Sequence, residues 1–227
     1  MKFTKYIFLI FIIPIYCQFG KNIVQYKSFD WHYIQSKYFD IYFYDSNNNL
    51  TNINNNAEFV ASESLKSYDI ISNAIGWKLK NRIPIIVYNS HNDFQQTNII
   101  DMYMPEGVGG VTELYKNRVV IPFDGNNQQF KNVIHHELVH AFINDYIYKG
   151  SVKNMQNDDV ILIPLWMNEG LAEFLSSPWQ TDSDMWMRDL VVNGEKLPKL
   201  NELNGYLAYR GGQSVWKYII EELDTLY

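Results

Sequence analysis

The chain has 227 residues, of which 47% are hydrophobic and 19% are charged, so it is long enough to bury a sizeable core and too apolar for extensive disorder. Its net charge is −6 and its pI is about 5.3. Because no basic stripe is present, the composition argues against nucleic acid as a partner. The single cysteine, Cys17, excludes a disulfide within the chain.

Residues 1–17 are typical of a secretory signal peptide. Lys2 and Lys5 form a short basic start, and residues 6–16 form an apolar run of eleven residues. That run is too short to span a bilayer comfortably. We therefore expect cleavage directly after this segment and an extracytoplasmic protein, whether secreted, periplasmic or envelope-associated. Tyr16 is bulkier than the residues that precede most cleavage sites, so an uncleaved N-terminal anchor is the alternative.

Strand patterns dominate the first half of the chain. Tyr33–Tyr44 is rich in aromatic and β-branched residues and predicts one or two strands. Ile83–Tyr88 is a short apolar run typical of a buried strand. Residues 109–122 predict a hairpin that turns near Lys116 and Asn117. The other predicted elements are an Asn-rich surface loop over Ser46–Asn56, a long helix over Ala57–Leu79 and a short helix over Asn92–Asn98.

Helical patterns dominate the second half, and the sequence shows no internal repeat. The predicted helices span Gln128–Ile147, Ile163–Ser176, Met185–Val192 and Tyr209–Leu226. Strands followed by helices predict an α+β fold, with a mixed or antiparallel sheet packed on helices. The last helical pattern reaches the end of the chain without a Gly or Pro stop signal, so we expect a further C-terminal module beyond it.

Residues 136–140 read His-Glu-Leu-Val-His and predict a metal site. Residues four apart on a helix share one face, so His136 and His140 can reach the same ion. Zinc accepts imidazole nitrogen readily, and a catalytic zinc needs three protein ligands and one open position. Glu137 follows the first histidine and is placed to reach the water that the metal activates. The alternative is a helix with two histidines that bind nothing.

The third ligand is the open question for such a site. A third histidine six residues after His140 would indicate one class of enzyme, but Tyr146 occupies that position. A carboxylate is available instead at Glu169, on the next predicted helix. Glu173 lies one turn later and is placed to accept a hydrogen bond from a metal-binding imidazole. The alternative for both carboxylates is a solvated helix face, which the apolar neighbours of these residues disfavour.

Two segments carry a resemblance to a known family. HHELVHAF (135–142) and PLWMNEGLAEF (164–174) resemble the gluzincins, zinc peptidases with two His ligands and one Glu ligand, and most of all the bacterial peptidase-MA-like proteins with their HELxH … LPxWxxEGLAE pattern. The resemblance implies that His136, His140 and Glu169 bind Zn²⁺ and that Glu137 is the catalytic base. More weakly, it extends from about Tyr33 to the end and implies one peptidase domain over 22–227, with zincin-like active-site helices. Members often continue into a β-propeller or another C-terminal module.

Four other residues were candidates for the site. Tyr209 opens the last predicted helix in the stretch AYRGGQSVW, which resembles a family segment, and its hydroxyl could donate to the oxyanion of a tetrahedral intermediate. A packing role for Tyr209 is the alternative. His135 faces another side of its helix and is predicted to be structural or solvent-exposed. His32 and His91 lie in unpatterned segments and receive no chemical role.

The function that these residues predict is a secreted zinc-dependent peptidase that hydrolyses a peptide or protein substrate. Glu137 would act as general base and pass the proton to the leaving amine. An exposed strand edge within residues 109–122 could dock the substrate backbone as an added strand. The alternatives are a catalytically silent zinc-binding interaction or assembly module of the cell envelope, and an envelope protein without metal. The intact Glu137 argues against the silent module, because a structural zinc site has no use for an unligated carboxylate.

Overall fold

The computed structural model describes residues 26–45, 55–100, 104, 107–149, 161–194 and 197–224. Within these residues the chain forms a mixed five-stranded sheet and six helices, which confirms the predicted α+β fold. The strands are β1 (Trp31–Gln35), β2 (Phe39–Tyr44), β3 (Ile83–Tyr88), β4 (Val111–Glu113) and β5 (Arg118–Pro122). The helices are α1 (Asn55–Ile75), α2 (His91–Phe94), α3 (Asn127–Tyr148), α4 (Leu165–Ser176), α5 (Thr181–Asn193) and α6 (Gly205–Asp224).

The sheet has the strand order β1-β2-β3-β5-β4. β1 and β2 are antiparallel, β2, β3 and β5 run parallel, and β4 pairs antiparallel with β5 at the edge. The central strand β3 is almost continuously apolar, as expected of a parallel strand covered on both faces. Between β4 and β5, Asn117 has φ of 52°, a left-handed conformation that Asn tolerates better than most residues. Its side chain donates to the carbonyl oxygen of Ala141 at 2.9 Å and so ties the hairpin to α3.

The main core lies between one face of the sheet and helices α1 and α3. Apolar residues recur on the inner faces of both helices, and Ile71 of α1 and Phe142 of α3 are fully buried. A smaller apolar cluster covers the opposite face of the sheet and includes Tyr44, Tyr88 and Phe94. The inner strands β3 and β5 are therefore largely buried on both faces, and α3 packs beside the edge of the sheet formed by β5 and β4.

Helices α4 and α6 pack closely through two glycines. A Cβ atom on Gly170 would lie 2.4 Å from the backbone carbonyl carbon of Gly212, and a Cβ atom on Gly212 would lie 2.1 Å from the carbonyl oxygen of Trp166. Because such distances exclude any side chain, only glycine permits this approach. The contact holds α6 directly against α4, which in turn packs on α3.

Some boundaries differ from those predicted. Helix α1 ends at Ile75 instead of Leu79, because Gly76 takes φ of 70° and ends the helix. Helix α6 begins at Gly205, so Tyr209 lies in its second turn and does not open it. The predicted signal peptide over 1–17 and most of the Asn-rich loop lie outside the described residues. No helix in the described part of the chain is long and apolar enough to cross a membrane.

Candidate metal centre

Helix α3 carries the two histidines of the motif on one face, as their spacing predicts. The helix begins after Asn126, whose side chain accepts hydrogen bonds from the backbone N–H groups of Gln128 and Gln129. The imidazoles of His136 and His140 converge, and their Nε2 atoms lie 3.2 Å apart. Both side chains are largely buried, with 14% and 10% of their surface exposed.

Glu169 of α4 completes the group. Its Oε2 atom lies 3.3 Å from Nε2 of His136 and 3.2 Å from Nε2 of His140. The three atoms therefore form a nearly equilateral triangle, close enough to hold one metal ion. This is the geometry that the sequence analysis predicted for Glu169, although 29 positions separate it from His140 along the chain.

Each imidazole also meets a second acceptor at its Nδ1 atom. Glu173 places Oε1 3.3 Å from Nδ1 of His136, as predicted. Asn168 places Oδ1 3.2 Å from Nδ1 of His140, a contact that the sequence analysis missed. The position of Asn168 directly before Glu169 was the only available signal. With protons on both Nδ1 atoms, these acceptors fix the tautomer that leaves both Nε2 lone pairs free for a metal.

A further residue, Arg210 of α6, binds the carboxylate oxygen of Glu173 that does not face His136. Its Nη1 atom donates to Oε2 of Glu173 at 2.7 Å. The same nitrogen lies 3.3 Å from Oγ of Ser183 and 3.2 Å from Oε1 of Gln213, which links α5 to the site. Arg210 follows Tyr209 in the sequence, but no spacing rule pointed to its pairing with Glu173.

The electrostatic field of the site favours a positive charge among the three Nε2 and Oε2 atoms. Burial would lower the pKa of His136, but its hydrogen bonds to Glu169 and Glu173 and the charge of Glu137 outweigh burial and raise that pKa to about 10. Burial would raise the pKa of Glu169, but hydrogen bonds to His136 and His140 lower it to about 2. The donor set therefore suits a cation, whether a proton or a metal ion.

Glu137 lies beside this triangle and outside it. Its carboxylate is buried and accepts a hydrogen bond from the Thr112 hydroxyl, with Oγ1 2.6 Å from Oε2. Gly110 lies against the same side chain, because a Cβ atom on Gly110 would come within 2.9 Å of Cγ of Glu137. Strand β4 and the segment before it therefore hold the carboxylate in place. The spacing of the motif predicts the position of Glu137, whereas no pattern in the sequence pointed to its contact with Thr112.

Tyr209 borders the site from α6. Its ring stacks on the His136 ring, with the centroids 6.1 Å apart and the planes 12° from parallel. Burial and the nearby negative charge of Glu169 raise the pKa of its hydroxyl. The hydroxyl therefore stays protonated at neutral pH, and it shares a hydrogen bond with Glu169. The close contact of α6 with α4 is what brings Tyr209 this near to the imidazole.

The remaining histidines lie outside the group. His135 is buried, and burial, followed by the charge of Lys131, lowers its pKa to about 4. Its Nε2 atom has no hydrogen-bond partner within the described residues. His135 was predicted to be structural or solvent-exposed, and the buried, neutral ring agrees with the structural role. His32 lies 3.6 Å from Asp30, and His91 packs against Phe94.

The comparisons with known proteins add no assignment. No family model matches the chain, and a search of curated proteins finds no match.

Proposed function

We propose that the chain is an extracytoplasmic zinc peptidase of the gluzincin type. The observation that carries the proposal is the triangle of Nε2, Nε2 and Oε2 atoms from His136, His140 and Glu169, with the carboxylate of Glu137 beside it. The location rests on the signal-peptide pattern of residues 1–17.

The dimensions of the triangle support zinc as the metal. A tetrahedral zinc ion with bonds of about 2.0–2.2 Å to nitrogen and oxygen holds its ligand atoms about 3.3 Å apart. The three sides of the triangle measure 3.2, 3.2 and 3.3 Å. Two imidazoles and one carboxylate also form a donor set that catalytic zinc uses, with the fourth position left for water.

The protein side chains have distinct roles in this proposal. A bound zinc ion would supply Lewis acidity, by lowering the pKa of a water and polarising the scissile carbonyl. Glu137 accepts the proton of the attacking water and delivers it to the leaving amine, while Thr112 holds its carboxylate. Tyr209 donates its hydroxyl hydrogen bond to the carbonyl oxygen as negative charge develops there.

The outer edge of β4 favours a peptide as the substrate. In the described residues β4 pairs only with β5, so its other edge presents unpaired backbone groups next to α3. An extended peptide can add to such an edge through backbone hydrogen bonds. Val111 and Thr112 of this strand lie within the cleft that also exposes His136 and Glu137. A substrate bound along β4 therefore passes the metal centre.

The test combines metal analysis with proteolysis. Purified protein should contain zinc by mass spectrometry and hydrolyse casein, and a chelator should abolish the activity. Glu137→Gln keeps the shape of the side chain and removes the proton acceptor, so zinc should remain while activity falls at least about 100-fold. Glu63→Gln is the matched control, because Glu63 and Glu137 are both 6% exposed and Glu63 lies on α1.

Each outcome bears on a different part of the proposal. Hydrolysis at the parental rate by the Glu137 variant would show that the carboxylate is not the base. Loss of zinc from that variant would place Glu137 among the ligands. An active protein that holds no zinc would remove the metal from the proposal altogether.

A further inference from the structure

The cleft at the metal centre continues in both directions along α3. A hollow of about 540 Å³ lies beside the first half of α3 and is lined by Gln129, Asn132 and Ser176. A second hollow of about 440 Å³ lies beside the second half of α3. His136, Glu137 and Tyr209 line both hollows, whereas His140 and Glu169 line only the second, so the two hollows meet at the His136 side of the metal centre. Each volume falls in the range of about 300–1,000 Å³ typical of ligand pockets.

The charged side chains of the cleft belong to the metal centre, its proposed base and one ion pair. Within the described residues, those lining either hollow are His136, Glu137, His140, Glu169, Glu173 and Arg210. The first four form the metal centre and its base, and Glu173 pairs with Arg210 at 2.7 Å. An enzyme that acts at a chain end has to compensate the charge of a terminal amine or carboxylate, because a buried unpaired charge is costly.

Among the described residues that line the cleft, Arg210 is the one arginine or lysine that could meet a substrate carboxylate, and its charge is already paired with Glu173. Its Nη1 atom is bound to Glu173, and its Nε atom donates to the hydroxyl of Tyr206 at 3.0 Å. Rotating the guanidinium toward a substrate would leave Glu173, which is only 16% exposed, without its arginine partner. The described lining of the cleft therefore offers no arginine or lysine whose charge is not already balanced by a carboxylate, and Glu137, a carboxylate without such a cation, is the proposed base.

From these two observations we propose that the site is an endopeptidase site, which binds an extended polypeptide on both sides of the cleaved bond and recognises neither terminus. The inference rests on the proposed peptidase function and names the substrate class for it. Water adds across an internal peptide bond: its hydroxyl joins the carbonyl carbon, the C–N bond breaks, and the proton held by Glu137 passes to the leaving nitrogen.

The experiment compares the same peptide with blocked termini and with free termini. An internally quenched peptide is offered to the full-length zinc-loaded protein with an acetylated N-terminus and amidated C-terminus, and again with both termini free. We expect comparable kcat/KM for the two forms and cleavage at an internal bond. A site built to bind a terminus would reject the blocked peptide by orders of magnitude. Cleavage of the free form alone would overturn the inference and leave the peptidase function standing. Cleavage of neither form would overturn both.

Discussion

Replacing Glu173 with Gln tests how the outer partners of the metal centre act. The carboxylate accepts from Nδ1 of His136 at 3.3 Å and from Nη1 of Arg210 at 2.7 Å. Gln has nearly the same shape but no charge, so both interactions lose their ionic component. His136 then becomes a weaker metal ligand, because its imidazole is no longer polarised and its tautomer is less firmly fixed.

The expected size of the effect follows from the position of Glu173. Removing a partner of a metal-binding histidine typically lowers metal affinity about 10- to 100-fold, which corresponds to about 1.4–2.7 kcal/mol. The upper part of that range is expected here, because Glu173 is only 16% exposed and solvent cannot replace the lost charge. Arg210 keeps Ser183 and Gln213 as acceptors, so the fold should tolerate the change.

The assay is a zinc titration of the metal-free protein against a competing chelator of known affinity. Glu113→Gln is the control, because Glu113 is 13% exposed and also pairs with an arginine, Arg118, at 2.9 Å. It does not contact either imidazole. An unchanged zinc affinity in the Glu173 variant, or an equal loss in both variants, would refute the reasoning.

Three further predictions follow from other contacts of the site and fold. Thr112→Val removes the hydroxyl that donates to Glu137 at 2.6 Å and should lower kcat by about 10-fold or more with little change in KM. Gly212→Ala places a Cβ atom 2.1 Å from the carbonyl oxygen of Trp166 and should lower the free energy of unfolding by about 1–3 kcal/mol, measured by urea denaturation. The pKa of His136 is raised from 6.5 to about 10 in the metal-free protein. Its contribution to stability is therefore complete below pH 6.5 and is lost as the pH rises towards 10, which denaturation in chelator at pH 7 and 9.5 can measure.

A matched variant provides the control for each of these three predictions. Thr112→Ser keeps the hydroxyl and should restore kcat; a serine variant as slow as the valine variant would point to packing instead. A Cβ atom on Gly211 would meet only the flexible side chain of Leu203, at 3.1 Å. Gly211→Ala should therefore lower the free energy of unfolding by less than Gly212→Ala does. A metal-free His136→Gln protein should lose less stability between the two pH values than the parent, and an equal loss would assign the effect to other groups.

Local spacing was enough to predict the helix of the motif and most of the sheet. An α-helix has 3.6 residues per turn wherever it lies, so the side chains of His136 and His140, four residues apart, share a face without reference to the rest of the fold. Local patterns also located β3 and the turn at Asn117. A buried strand requires a run of apolar residues, and a left-handed backbone favours residues such as Asn. The position of Glu137 beside the two imidazoles followed in the same way.

Only the tertiary structure decided which distant side chains meet that helix. The sequence offered Glu169 as a candidate, but its reach to both imidazoles depends on how α4 packs against α3. Nothing in the spacing of Thr112 or Arg210 revealed their contacts with Glu137 and Glu173. These contacts are set by the edge position of β4 and by the close approach of α6 to α4. Such packing sums many weak apolar contacts across the whole chain, and no periodicity within a single segment encodes it.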